Sequence, residues 1–313
     1  MSQPIESDVS LAAREASRFS RADFMALTKV RLATMVVITT ALGFWMRSRG
    51  AFDGWAFFHT VFGTSLCALG SGAFNQLMEI EADARMKRTA DRPLPARRLT
   101  PAGAFAIGWG LCAWGLVHLG RTVNVEAAAL AAATLLTYVF IYTPLKTFSV
   151  LNTVVGAVSG ALPPMIGWAG AAGPGDPGTV FRWPLIVEQP SLFLFSVLFL
   201  WQMPHFLAIN WMYRDEYLRG GFIMWSNTDE TGEKTGLRAT LWSALLIPVS
   251  LWPALAGWGR WWASIVATAL ALAMIHFSWR LRNERTRQAA KRLFFYTLMY
   301  LPPVLAVIVL GRK

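Results

Sequence analysis

The stretch Asn75-Gln-Leu-Met-Glu79-Ile-Glu-Ala-Asp83-Ala-Arg-Met-Lys87-Arg88-Thr89-Ala-Asp-Arg92-Pro93-Leu94 sets an amide and two carboxylates at i, i+4 and i+8, at the foot of a long apolar run, and follows them with a burst of cations. Four residues advance an α-helix by about 6 Å and turn it by about 400°, so Asn75, Glu79 and Asp83 are expected to form one oxygen-bearing stripe about 12 Å long. Carboxylates are costly next to lipid, so a membrane helix that ends in them handles something charged. Oxygen donors beside Lys and Arg suit a magnesium-bound diphosphate. The competing reading is a solvated amphipathic turn with i, i+4 charge pairs such as Asp83–Lys87. The three-member stripe and its position at the end of a span favour the site.

Outward from this stretch the chain is apolar nearly throughout: 55% of its 313 residues are hydrophobic and 15% charged, with 15 Trp and 20 Phe. That balance is wrong for a soluble domain of this length and right for an all-α polytopic membrane protein. Runs long enough to cross about 30 Å of hydrocarbon are read at residues 30–46, 55–74, 101–119, 127–143, 150–169, 191–212, 239–257, 261–279 and 293–311, which predicts nine spans. Those holding Pro144, Pro163-Pro164 and Pro204 are expected to be kinked.

The net charge of +11 is a topology signal rather than a mark of nucleic-acid binding. With the N-terminus placed inside, the outer segments hold only Arg47, Arg49, Arg121, Arg182, Arg260, Arg312 and Lys313 of the 29 Lys and Arg. The rest lie on the inner side, as the positive-inside rule requires, and the C-terminus is then outside. Residues 1–22 have no apolar core for a signal peptide, and their acids Glu6, Asp8 and Glu15 speak against a transit peptide. They read as a cytoplasmic tail before a single membrane domain over 23–313, with a bacterial inner membrane as the simplest home. Cys67 and Cys112 fall inside spans and read as small packing residues.

Two inner loops begin with acids directly beneath a span: Glu79 and Asp83 after the second, Asp215 and Glu216 after the sixth. An offset of four spans between similar loops points to two quasi-repeated four-helix units with a ninth helix appended. A diphosphate leaves an allylic carbon readily only when its growing charge is neutralised, and a metal ringed by Lys87, Arg88 and Arg92 would do this.

The pattern N-x-x-x-[DE]-x-x-x-D-x-x-M-x-R-T-x-x-R-P-L resembles the first signature of the intramembrane prenyltransferases, and more narrowly that of the haem O synthases (protohaem IX farnesyltransferases). Four further blocks match that family in order: Asp23 to Arg31; Tyr142-Thr-Pro-Leu-Lys146 with Asn152, Gly156, Gly160 and Pro163-Pro164-Met-Ile-Gly-Trp168; Phe199 to Phe206; and Tyr213 to Gly221. The match runs from about residue 23 to 305. It implies nine helices around a central cavity open to the bilayer, capped by both polar loops on the cytoplasmic side. It implies farnesyl transfer from farnesyl diphosphate to a vinyl group of haem B, with addition of water, giving haem O, and Mg2+ as cofactor. A haem A synthase or a terminal-oxidase assembly is the partner class, in a setting of membrane lipid and no nucleic acid.

Carried onto this chain, the resemblance makes Asn75, Glu79 and Asp83 the first magnesium–diphosphate set and Asp215 with Glu216 the second. Lys29, Lys87, Arg88, Arg92 and Lys146 become diphosphate ligands, and His205 and Tyr217 become haem contacts. On residue type alone His205 reads equally as a buried side chain donating to a carbonyl; His59, His118 and His276 read as structural, and the Trp residues near span ends as interfacial belt. The chain departs from the family pattern at Glu79, where Asp is common, at Val30, where Pro is usual, and at Met224-Trp225-Ser226-Asn227, which bears on how the loop over 222–238 closes. Arg219 stands where a second D-x-x-x-D would end, which favours haem over the alternative acceptors, an aromatic quinone precursor or a chlorophyll-type ring. A transporter would hold its acids near the midplane, and an oxidase assembly factor would not need the stripe.

Overall fold

Ser20 opens the first helix with a capping box: its hydroxyl accepts from the Asp23 N–H (3.1 Å) and its own N–H donates to the Asp23 carboxylate (3.0 Å). The computed structural model describes residues 19–48, 50, 52–173 and 181–313. Most of the expected N-terminal tail, with Arg14 and Arg18, lies outside the described residues, as do Arg49, Ala51 and residues 174–180 in the connection between the fifth and sixth expected spans. After α1 (Arg21–Leu27), Lys29 takes a left-handed φ of 50° and turns the chain into α2 (Val30–Arg47). This elbow sits on α3 (Gly54–Met78). The Gln76 amide donates to the carbonyls of Ala26 (2.5 Å) and Leu27 (3.2 Å), which satisfies the end of α1. At Gly72 a Cβ would stand 2.5 Å from the Thr28 carbonyl oxygen, so only glycine admits the elbow.

After the short α4 (Ile80–Arg85) come α5 (Pro101–Thr122) and α6 (Val125–Leu135), the latter continued by a π-helical stretch (Leu136–Tyr142) and a last turn (Thr143–Leu145). The next span is α7 (Asn152–Ala161) with α8 (Pro163–Gly170); α9 (Trp183–Val187) leads into α10 (Gln189–Met212) and the short α11 (Arg214–Gly220). α12 (Glu233–Ala244) with α13 (Leu246–Leu255), then α14 (Trp261–Glu284) and α15 (Arg287–Leu310), complete the chain. Every regular element among the described residues is thus helical, as expected.

Seven helices among the described residues are long and apolar enough to cross a bilayer. The other two expected spans are each divided into two shorter helices. Pro163 and Pro164 cannot donate to the carbonyls four residues earlier, so α7 ends at Ala161; Pro248 excludes the Ala244 carbonyl in the same way, and α12 ends there. α10, by contrast, runs unbroken through Pro204.

Lipid gives apolar helices no hydrophobic reason to associate, so close van der Waals approach must do so. Gly63 and Gly70 on α3 face Gly108 and Gly115 on α5, and a Cβ at Gly115 would lie 2.6 Å from the Cys67 sulfur. Cys67 and Cys112 are free, buried members of this seam, as packing residues should be. On the other side α8 lies on α2, where a Cβ at Gly167 would come within 1.8 Å of the Thr40 carbonyl oxygen. A second core joins α10, α14 and α15 around Phe193, Leu198, Met274 and Tyr300.

The junctions beneath the second and sixth spans are built alike. α3 gives way to α4 through Glu79 (φ −108°, ψ 13°), and α10 to α11 through Tyr213 (φ −114°, ψ 22°). This similarity of local geometry fits two related units.

Candidate active site

α3 ends at Met78, so the stripe is not carried by one helix as the spacing suggested. The Glu79 N–H closes a tight turn onto the Gln76 carbonyl (3.3 Å), and α4 restarts with the Asp83 N–H on the Glu79 carbonyl (2.8 Å). The three side chains remain buried, Asn75 at 0%, Glu79 at 6% and Asp83 at 1% exposure, but their surroundings differ. Asn75 is committed to other groups: its oxygen accepts from the Lys29 ammonium and its amide donates to the Thr143 hydroxyl (2.9 Å), which in turn donates to the Tyr138 carbonyl (2.8 Å). The Thr143 N–H donates to the same carbonyl, the five-residue bond of the π-helical stretch, which also brings Tyr138 and Tyr142 into the cavity wall.

Glu79 pairs with Lys146 (2.7 Å), whose ammonium also stands 4.4 Å from the centre of the Tyr142 ring. Burial raises the Glu79 carboxyl, yet Lys146 and Lys29 outweigh it and hold the group below its ordinary range. Asp83 accepts from Arg92 at 2.6 Å through one oxygen, while its other oxygen is buried without a hydrogen-bond partner. Burial here outweighs Arg92 and raises the carboxyl, so a further cation at the bare oxygen would relieve a real cost.

These groups cap one end of a cavity of about 430 Å³. Lys29, Glu79, Asp83, Arg88, Arg92, Lys146, His205 and Tyr217 all line it, whereas Asn75 sits behind the wall. The remaining walls are largely apolar, with Ala33, Val36, Ala68, Ala131, Leu135 and Ile166 contributed by α2, α3, α6 and α8. A tail and a flat ring suit such walls, and a diphosphate suits the cap.

Besides Asn75, three expected site residues lie outside the cavity lining. Asp215 is exposed and does not line the cavity. On α11 the inward position belongs to Tyr217, and a residue two places earlier is turned by about 200° to the other side. Its neighbour Glu216 meets the Arg88 N–H (3.5 Å) and Arg219 (3.7 Å) instead. Lys87 is also exposed and outside the lining, because Met86 before it fills the inward position. Among the described residues no three His, Cys, Asp or Glu side chains converge.

The loop after α11 closes firmly despite its unusual sequence. The Ile223 N–H donates to the Lys146 carbonyl (2.6 Å), the Asn152 amide to the Ile223 carbonyl (2.7 Å) and the Ser226 hydroxyl to the Asn210 carbonyl (2.9 Å), while Phe222 and Met224 are buried. Gln76, Thr143 and Tyr138 carry no local signal of their roles in the sequence, since their parts depend on which helices meet. His59 Nδ1 lies 2.9 Å from His118 Nε2, away from the cavity lining.

Residues 36–299 match the UbiA prenyltransferase family. The chain is 36% identical over 299 residues to the protoheme IX farnesyltransferase of Solibacter usitatus, covering 93% of this chain and 98% of that protein. It is 38% identical to the protein of the same name from Opitutus terrae, over 95% and 97% of the two chains. Among solved structures, a digeranylgeranylglyceryl phosphate synthase superposes with a TM-score of 0.74 at 17% identity, over 93% of this chain and 97% of its own. A UbiA homolog from Archaeoglobus fulgidus bound to GPP and Mg2+ gives 0.64 at 12% identity, over 91% and 99%. The fold is therefore theirs, and the protein is a multi-pass membrane prenyltransferase. By sequence, the chain belongs to the UbiA prenyltransferase family and, within it, to the protoheme IX farnesyltransferases.

Proposed function

We propose that the protein transfers the farnesyl group of farnesyl diphosphate to a vinyl group of haem B, adding water and releasing diphosphate, to give haem O. The observation that carries this is a cap of four cations and two buried carboxylates on a largely apolar cavity, in a chain related over nearly its whole length to proteins named protoheme IX farnesyltransferase.

Glu79 and the bare oxygen of Asp83 would hold Mg2+, which prefers few carboxylates and keeps phosphate oxygens and water as its other ligands. When bound, the ion neutralises charge developing on the departing diphosphate. Lys29, Arg88, Arg92 and Lys146 bind phosphate oxygens, and Asn75 holds Lys29 until the anion takes it; freed of Lys29, the Asn75 oxygen can turn to the metal. Tyr142 and Tyr138 line the cavity, Tyr142 directly beside the Lys146 of this cap, so their electron-rich rings stand near where an allylic cation forms. The apolar walls keep water from that cation until the electron-rich vinyl carbon has attacked it. A final water adds to the cation left beside the porphyrin. The basic loops support a cytoplasmic position for the cap, in a bacterial inner membrane with the C-terminus outside. The product is consumed by a terminal oxidase or a haem A synthase.

Membranes bearing the protein should convert haem B and farnesyl diphosphate to haem O only with Mg2+ present, and Asp83→Ala should abolish conversion. Haem O formed at the normal rate by that variant would refute the site; a prenylated quinone precursor as sole product would refute the acceptor.

A further inference from the structure

Two side chains one turn apart on α10 converge on one residue of the last helix. The Trp201 indole N–H donates to the Thr297 carbonyl (2.6 Å), and His205 Nδ1 lies 2.8 Å from the Thr297 hydroxyl oxygen. That hydroxyl has a single proton and gives it to the Phe294 carbonyl at 2.5 Å, which can only accept. The hydroxyl oxygen must then accept from His205, so the imidazole carries its proton on Nδ1 and its lone pair on Nε2.

The ring is also fixed in place. It is stacked between Trp201 (centroids 5.2 Å apart, 21° between planes) and Phe294 (5.0 Å, 27°), and Thr297 is fully buried. His205 lines the cavity, and Nε2 takes no hydrogen bond from the described residues. An imidazole whose Nδ1–H is held by a protein acceptor and whose Nε2 faces open space has the second-sphere arrangement of metal-bound histidines.

We infer that Thr297 is a positioning residue that presents His205 Nε2 as an axial ligand to the iron of a metalloporphyrin in the cavity. This rests on the haem reading above, and it gives α15, the helix outside the two four-helix units, a place in the site.

The test is a titration of the purified full-length protein with ferric haem B, followed by absorption. Wild type should bind saturably with the Soret shift of imidazole ligation. His205→Ala should bind without that shift, and added imidazole should restore it; His205→Gln, which keeps a donor for Thr297, serves if the alanine variant does not fold. Thr297→Ser should match wild type, while Thr297→Val should weaken binding about 10-fold. A His205 variant that keeps the wild-type spectrum, or a Thr297→Val protein that binds as tightly as wild type, overturns the inference while leaving the haem reading intact. Absence of saturable binding by wild type overturns both.

Discussion

Lys146→Met leaves Glu79 buried at 6% exposure without the ammonium 2.7 Å away, in a wall where Lys146 itself is only 11% exposed. Removing one partner of a buried pair costs about 3–5 kcal/mol, because the remaining charge loses its compensation. Lys29 also acts on Glu79, so a value near the low end, about 3 kcal/mol, is expected. Glu79→Gln strands Lys146 similarly, although the Tyr142 ring at 4.4 Å softens the loss to about 2 kcal/mol. With both changes the two charges of the pair are gone and only the longer-range attraction between Lys29 and Glu79 is lost, so the double variant should recover to within about 1 kcal/mol of wild type. Turnover should not recover in any of the three, since the double variant lacks both a metal ligand and a phosphate ligand. Reversible denaturation in mixed micelles gives the stabilities, and conversion of haem B gives the activity. If both single variants lie within about 0.5 kcal/mol of wild type, or the double loses the sum of the singles, the pair is not the buried, mutually compensating unit described.

Gly167→Ala should destabilise by at least about 2 kcal/mol, since its methyl would meet the Thr40 carbonyl at 1.8 Å; an unchanged melting temperature would show that α2 and α8 are not so close. Asp229 takes N–H donors from Gly232 (3.0 Å) and Thr235 (2.7 Å). Burial raises its carboxyl, but these bonds outweigh it and hold the group below 3.8. Its stabilisation is then present above that value and lost as pH falls through the lower folded one, so Asp229→Ala should cost about 1–2 kcal/mol at neutral pH and progressively less below pH 3.8; a cost independent of pH contradicts this. Gln76→Leu unlatches the elbow that carries Lys29 and should raise KM for farnesyl diphosphate several-fold with little change in kcat; an unaltered KM argues against the latch.

Much of this was legible in the residues because lipid imposes long apolar runs, and the runs mark the spans. The two divided spans carry their own signal in Pro163-Pro164 and in Pro248, which stands four residues after the end of α12. The acidic stripe and the cations around it were legible as a cluster, but not the break at Glu79, which neither Pro nor Gly announces. Spacing also overcounted the ligands. Periodicity says which residues share a face of an ideal helix, and once α4 and α11 restart after a turn, Met86 and Tyr217 take the inward positions that Lys87 and Asp215 were expected to share. Gln76, Thr143 and Thr297 act through bonds spanning 49 to 92 positions of sequence, and no local pattern encodes such partners.

The most direct measurement is the mass of the pigment formed when purified protein, Mg2+, haem B and deuterated farnesyl diphosphate react in 18O-labelled water. The product should carry one deuterated farnesyl group and one 18O atom together, and the Asp83→Ala protein should form none. A product bearing the farnesyl group without solvent oxygen, or unmodified haem B beside intact farnesyl diphosphate, would contradict the account.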